Sequence, residues 1–93
     1  MDFEWDEAKR QANILKHGID FVDAIAIFLG RVEENEDRRR NYGEQRFRNF
    51  GETDGEVLHV VSTWRGEKRR IISARRARRN ERRAYYAGDP GPG

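Results

Sequence analysis

His17 and His59 are the only side chains in the chain whose ordinary pKa lies near neutrality, and Lys9 precedes His17 by two helical turns. If the segment between them is helical, Lys9, Asn13 and Lys16 or His17 recur along one stripe, so a general base is to be sought at His17 or Lys9. His17 would serve equally as a cation beside the last carbonyls of that helix. His59 falls within a strand, where packing is the ordinary role. Around these residues lies a high density of arginine: between Arg65 and Arg83, nine Arg and one Lys stand against Glu67 and Glu81, a local balance of about +8. Guanidinium groups fork onto the non-bridging oxygens of phosphates. A base, such cations and an acid for the leaving oxygen are what hydroxyl attack on a phosphodiester requires, without a metal.

Each remaining candidate carries a plain alternative. Arg65 ends a strand beside Gly66 and is read as a phosphate contact or as a solvated turn residue. Arg75 and Arg76 leave the last strand on opposite sides, so one reaches a ligand and the other pairs with acids of the N-terminal half. Arg46, Arg70, Arg76, Arg79 and Arg83 are candidates for gripping a nucleic-acid backbone, and Arg78, Arg79, Arg82 and Arg83 form a stripe that a protein partner could use instead. Tyr85 can donate a proton, stack on a base or fill the core. Cysteine is absent and the histidines are far apart, so no zinc-type ligand set is visible, and the acids of Glu33–Asp37 read as a solvated charge run. No cofactor is implied.

The elements that must position these residues follow from pattern. Met1–Trp5 alternates apolar and acidic residues, which suits a short edge strand. Asp6 caps a helix running to about His17 and closed by Gly18, with Ala8, Ala12 and Leu15, together with Gln11, as its buried stripe. Asp20 caps a second helix over about Phe21–Leu29. Arg31–Asp37 is a weak edge strand, Glu44–Phe50 alternates again, and Gly51–Gly55 has the content of a hairpin connection. Val57–Trp64 and Lys68–Ser73 are the best strands; a two-residue turn at Gly66-Glu67 sets Val61 against Ile72 and Leu58 against Arg75. Leu58, Val60, Trp64 and Ile71 then form the core face, and Trp5 is likewise read as core. Ala77–Tyr86 is helical. The sum is one α+β domain over residues 1–87, a mainly antiparallel sheet of three to four strands packed with two N-terminal helices and a C-terminal helix, followed by a flexible tail at 88–93.

Charge is distributed unevenly: residues 1–37 hold ten acids and four bases, against the basic second half. Either a nucleic-acid face has an acidic flank, or the two halves pair with each other. No stretch is long and apolar enough to span a bilayer and the N-terminus lacks a basic-then-apolar leader, so a cytoplasmic protein is expected.

Three blocks, FEWDEAKRQANILKHGIDFVDA at 3–24, YGEQRF at 42–47 and WRGEKRRIISARRARRNERRAYY at 64–86, resemble the BrnT family of bacterial toxins in order and separation. Arg31–Arg40 and Ser62-Thr63-Trp64 are the least typical parts. The resemblance implies a RelE-like fold and a sequence-relaxed ribonuclease that arrests translation. It also implies neutralisation by a BrnA-like antitoxin with a ribbon-helix-helix part, through which alone the toxin would meet operator DNA. The class that competes with this reading is a non-catalytic basic module that binds nucleic acid or a partner protein.

Overall fold

In the computed structural model, which describes residues 1–88, the alternating N-terminus forms β1 (Asp2–Trp5) and Asp6 turns it directly into α1 (Glu7–His17). The Asp6 carboxylate accepts from the Lys9 amide at 3.1 Å, and Gly18, at φ 70°, closes the helix in the left-handed conformation that glycine adopts without strain. Asp20 caps α2 (Phe21–Ala24), which tightens into a 3₁₀ segment (Ile25–Leu29) where one continuous helix is expected from the sequence. Four strands follow, β2 (Val32–Glu36), β3 (Phe47–Thr53), β4 (Glu56–Arg65) and β5 (Lys68–Arg76), and then α3 (Arg79–Ala87). Beyond Gly88, the expected tail lies outside the described residues.

The sheet has five strands in the order β1-β5-β4-β3-β2, more than the three or four expected. It is mixed, because β1 runs parallel to β5 while the other pairs are antiparallel. Two local turns set the antiparallel part. Asp54 and Gly55 both take positive φ, the type I′ pattern, and Gly66 takes φ 60° ahead of Glu67, the II′ pattern. The second turn joins Arg65 to Lys68 as expected, but the pairing farther along differs. Val61 lies opposite Ser73 and Ser62 opposite Ile71, so Ile72 is the extra residue of a bulge, and Leu58 meets Arg76, not Arg75. Gly51, expected in a connection, sits within β3 because the chain passes close there: a Cβ on it would stand 2.7 Å from Ile27 Cβ.

Apolar residues fill both faces of the sheet. Leu58, Val60, Ile71 and Ala74 pack against Ile19, Phe21, Ala24 and Ile27 on one side, with Trp5 edge-on to Phe21 at 6.2 Å. On the other side Phe50, Val57, Ala77 and Tyr85 form a smaller cluster beneath α3. Trp64 is not core, as it is 42% exposed, and its ring covers the buried Arg69 guanidinium at 4.4 Å. Arg69 in turn joins Glu34 at 2.6 Å and Ser62 at 3.1 Å, so this arginine of the basic run belongs to the interior.

The orientation of α1 departs furthest from its apolar pattern. Ala8, Gln11, Ala12 and Leu15 face solvent, Leu15 being 89% exposed, and the buried residue is Asn13. The cause lies in β5, whose edge is covered by β1 only as far as Ile71. Farther along, the Asn13 carboxamide takes the place of a neighbouring strand: it donates to the Ala74 carbonyl at 2.8 Å, accepts from the Ala74 amide at 3.1 Å and donates to the Ile19 carbonyl at 2.9 Å. A buried amide and carbonyl left open cost more than one exposed leucine on a helix gains by burial. Asn13→Ala should therefore destabilise the protein by about 3 kcal/mol in urea or thermal unfolding; a loss below about 0.5 kcal/mol would contradict this role.

Candidate functional site

Strand alternation places Arg48 and Phe50 of β3, His59 of β4 and Arg75 of β5 on the face of the sheet that α3 crosses. Phe50 and Arg75 are the two cross-strand neighbours of His59, and the Phe50 and His59 rings lie 4.8 Å apart. Arg48 Nε donates to His59 Nε2 at 3.1 Å. Glu81, in the first turn of α3, joins the group from above. Its carboxylate accepts from both terminal nitrogens of Arg75 at 2.8 and 3.0 Å, from Arg48 Nη2 at 3.3 Å and from the Arg78 amide at 2.7 Å. The bond to Arg78 also caps the helix.

These contacts set the charge states. Burial first, and then the cations of Arg75 and Arg48, push the His59 pKa down to about 4, so its imidazole is neutral at pH 7. The Arg75 hydrogen bonds, followed by the Arg78 amide and the Arg75 charge, hold Glu81 at about 2, a carboxylate at any physiological pH. His59 is only 2% exposed.

A groove of about 210 Å³ opens beside this cluster, between α1 and the bulged part of β5, lined by Lys9, Lys16 and His17 from the helix and by Ile72 and Ser73 from the strand. The bulge at Ile72 lies in its floor, a position in which such irregularities re-aim side chains. His17 is half-buried there, and burial, then Lys16, then Arg75 lower its pKa from the ordinary histidine value. The Arg75 charge is thus among the causes that lower both histidines.

Of the residues singled out from sequence, Lys9 and His17 share the groove, and Arg75 lies two residues beyond Ser73 on the same strand, on the sheet face with His59. The others lie apart. Arg65 ends β4 at the opposite end of the sheet, 3.9 Å from Glu44, and seven residues of strand, roughly 23 Å, separate Lys68 at that hairpin from Arg75. Tyr85 is 5% exposed, its hydroxyl donates to the Arg31 carbonyl at 2.7 Å and its ring lies under the Arg31 guanidinium, so it is part of the α3 packing. Arg46 pairs with Glu44 at 3.1 Å and covers Tyr42; Arg70 lies 3.6 Å from Glu4. Arg76 binds Glu56 at 2.9 Å and the His17 carbonyl at 3.3 Å, while Arg75 binds Glu81, so neither pairs with an acid of the N-terminal half as expected; Arg76 meets that half only through the last carbonyl of α1. Arg79 and Arg83 are exposed on α3.

Sequence reading missed Arg48 and Glu81 and favoured packing over catalysis for His59. The signals were present but weak alone: period-two alternation puts Arg48 and Phe50 on one face, and Glu81 stands three residues after a helix start. Their meeting depends on α3 folding back over β3, which no local pattern encodes. Among the described residues no three His, Asp or Glu groups converge as metal ligands, and no helix is long and apolar enough to cross a membrane.

The His59 site makes stability pH-dependent. In the unfolded chain His59 titrates near 6.5 and in the folded protein near 4, so as pH falls the unfolded state takes up the proton first. This stabilisation is complete above pH 6.5, and about 2 kcal/mol of it should be gone by pH 4.5. Glu81 contributes in a lower window, losing its effect only below about 4.5. Urea unfolding at pH 7 and 4.5 should show this loss in the wild type and a much smaller one in His59→Gln; equal losses would contradict it.

A family model described as "Ribonuclease toxin, BrnT, of type II toxin-antitoxin system" matches residues 5–81, most of the chain and every residue of the Arg48–His59–Arg75–Glu81 cluster. No curated protein matches.

Proposed function

This chain belongs to the BrnT family of ribonuclease toxins of type II toxin-antitoxin systems, and we propose that it cuts RNA in the groove between α1 and β5, with Arg75 on the scissile phosphate. The observation that carries the reading is the place of Arg75 on β5, directly opposite His59 and two residues beyond Ser73, which lines the groove with Lys9 and His17. His17, neutral at pH 7 because its pKa lies below the ordinary value, takes the proton from the 2′-hydroxyl. The 2′-oxygen attacks phosphorus, Arg75 stabilises the charge gathering on the non-bridging oxygens, and the bond from phosphorus to the 5′-oxygen breaks. The Lys9 ammonium in the same groove protonates that leaving oxygen. The products are a 2′,3′-cyclic phosphate and a 5′-hydroxyl, and no metal takes part.

In this reading the fold is a RelE-like scaffold and the protein works in the cytoplasm, where cleavage arrests translation. A BrnA-like antitoxin with a ribbon-helix-helix part silences it by laying an acidic segment over the basic face. Operator DNA is then met only through that partner. The unpaired Arg79 and Arg83 on α3 offer further backbone contacts for RNA or for the antitoxin.

Cleavage of a labelled RNA by purified protein in excess chelator tests the reading. The wild type should release cyclic-phosphate ends. Arg75→Ala should lower the rate about 10²–10³-fold and His17→Ala by at least about 10²-fold, each in a folded protein. Salt-sensitive binding without turnover would support the non-catalytic alternative, and a loss at Arg65→Ala as large as that at Arg75→Ala would move the site to the β4–β5 hairpin.

A further inference from the structure

Arg48 and Arg75 come from strands that are not neighbours in the sheet, and their guanidinium groups converge above His59 on a single carboxylate. With the Arg78 amide they present four N–H groups to the two oxygens of Glu81, at 2.7 to 3.3 Å. Such a fork of two guanidinium groups and a helix-end amide fits phosphate as well as it fits carboxylate. The Glu81 carboxylate is therefore in the place that an incoming phosphate of the same chain of contacts would take.

We propose that Glu81 is an internal competitor of RNA: it fills an oxyanion seat formed by Arg48, Arg75 and the Arg78 amide, and a phosphodiester of the bound strand displaces it. This rests on the assignment of Arg75 to phosphate made above, and it adds the seat, its second arginine and its built-in occupant. The arrangement has a physical rationale. Arg75 is four-fifths buried and Arg48 more than two-thirds buried, so both would be costly to leave without a counter-charge. Glu81 supplies that charge in the free protein, holds both guanidinium groups in position, and stands on the first turn of α3, outside the strands that carry them. Loss of its charge should weaken its hold on both guanidinium groups, so that a phosphate displaces the neutral side chain of the amide variant more easily than the carboxylate.

The test is binding of a 2′-deoxy oligonucleotide, which has the phosphates but cannot be cleaved by its own hydroxyl. Glu81→Gln should bind it about 5- to 30-fold more tightly than the wild type, with log affinity falling more steeply against log salt by about 0.7, the value for one further phosphate contact on a single strand. Adding Arg75→Ala should abolish the gain. Glu81→Asp retains charge and helix preference but is one methylene too short to span both arginines, so it should show a smaller gain and remains informative should Glu81→Gln not fold. Equal or weaker binding by the folded Glu81 variants, or a gain that survives removal of Arg75, would overturn the proposal. RNA cleavage by the wild type together with no gain in the Glu81 variants would remove this inference alone; a gain without any cleavage would remove the catalytic reading alone.

Discussion

The far half of β5 has no strand on its outer side, and the Asn13 carboxamide takes that place by bonding both the amide and the carbonyl of Ala74. Much else depends on this pair of bonds. They fix the rotation of α1 and so bring Lys9 and His17 to the strand, exposing Leu15 in exchange. They hold β5 in the register that places Arg75 beside His59. Arg76 adds a second tie, from the end of the same strand to the last carbonyl of α1. The groove of the proposed active site is thus a consequence of how one sheet edge is satisfied.

The arginine-rich second half does not form one basic face. Successive residues of β5 point to opposite sides, so Arg69 goes into the interior under Trp64, while Arg70 and Arg75 reach the α3 side. Many of the remaining guanidinium groups meet acids from elsewhere in the chain: Arg70 with Glu4, Arg76 with Glu56, Arg48 and Arg75 with Glu81. The acidic N-terminal segment meets the basic run through Arg69 with Glu34 and Arg70 with Glu4, while its other ion-paired acids pair with nearby arginines, so the two halves neutralise each other only at these points. What is left for a polyanion is narrower than the composition suggests, namely the groove cations and the outer side of α3.

Sequence made legible whatever rests on neighbouring residues. The two hairpin turns, the aspartate caps of α1 and α2, the edge positions of β1 and β2 and, Trp64 apart, the apolar side of β4 all follow from short-range chemistry, and they are found. Contacts between distant segments were not legible. The parallel pairing of β1 with β5 joins residues more than sixty positions apart, the bulge at Ile72 shifts a register that a turn alone would have set, and the Leu15 stripe gave way to a polar demand made by another strand. The site divides in the same way. Lys9, His17 and Arg75 could be chosen by residue type and spacing, whereas Arg48 and Glu81 acquire their meaning only where α3 meets β3. The family assignment, carried by motifs spread along the chain, tells what the protein does with less dependence on any one contact.

In the proposed reaction Arg75 holds the scissile phosphate beside the α1–β5 groove. A crystal structure with a substrate strand bearing 2′-O-methyl groups tests it most directly. A phosphate should lie within hydrogen-bond reach of the Arg75 guanidinium, with the adjoining sugar beside His17 and Lys9 and Glu81 turned away from Arg75. A strand lying along Arg79 and Arg83 or at the Arg65 hairpin, with the Arg75–Glu81 pair intact, would contradict it.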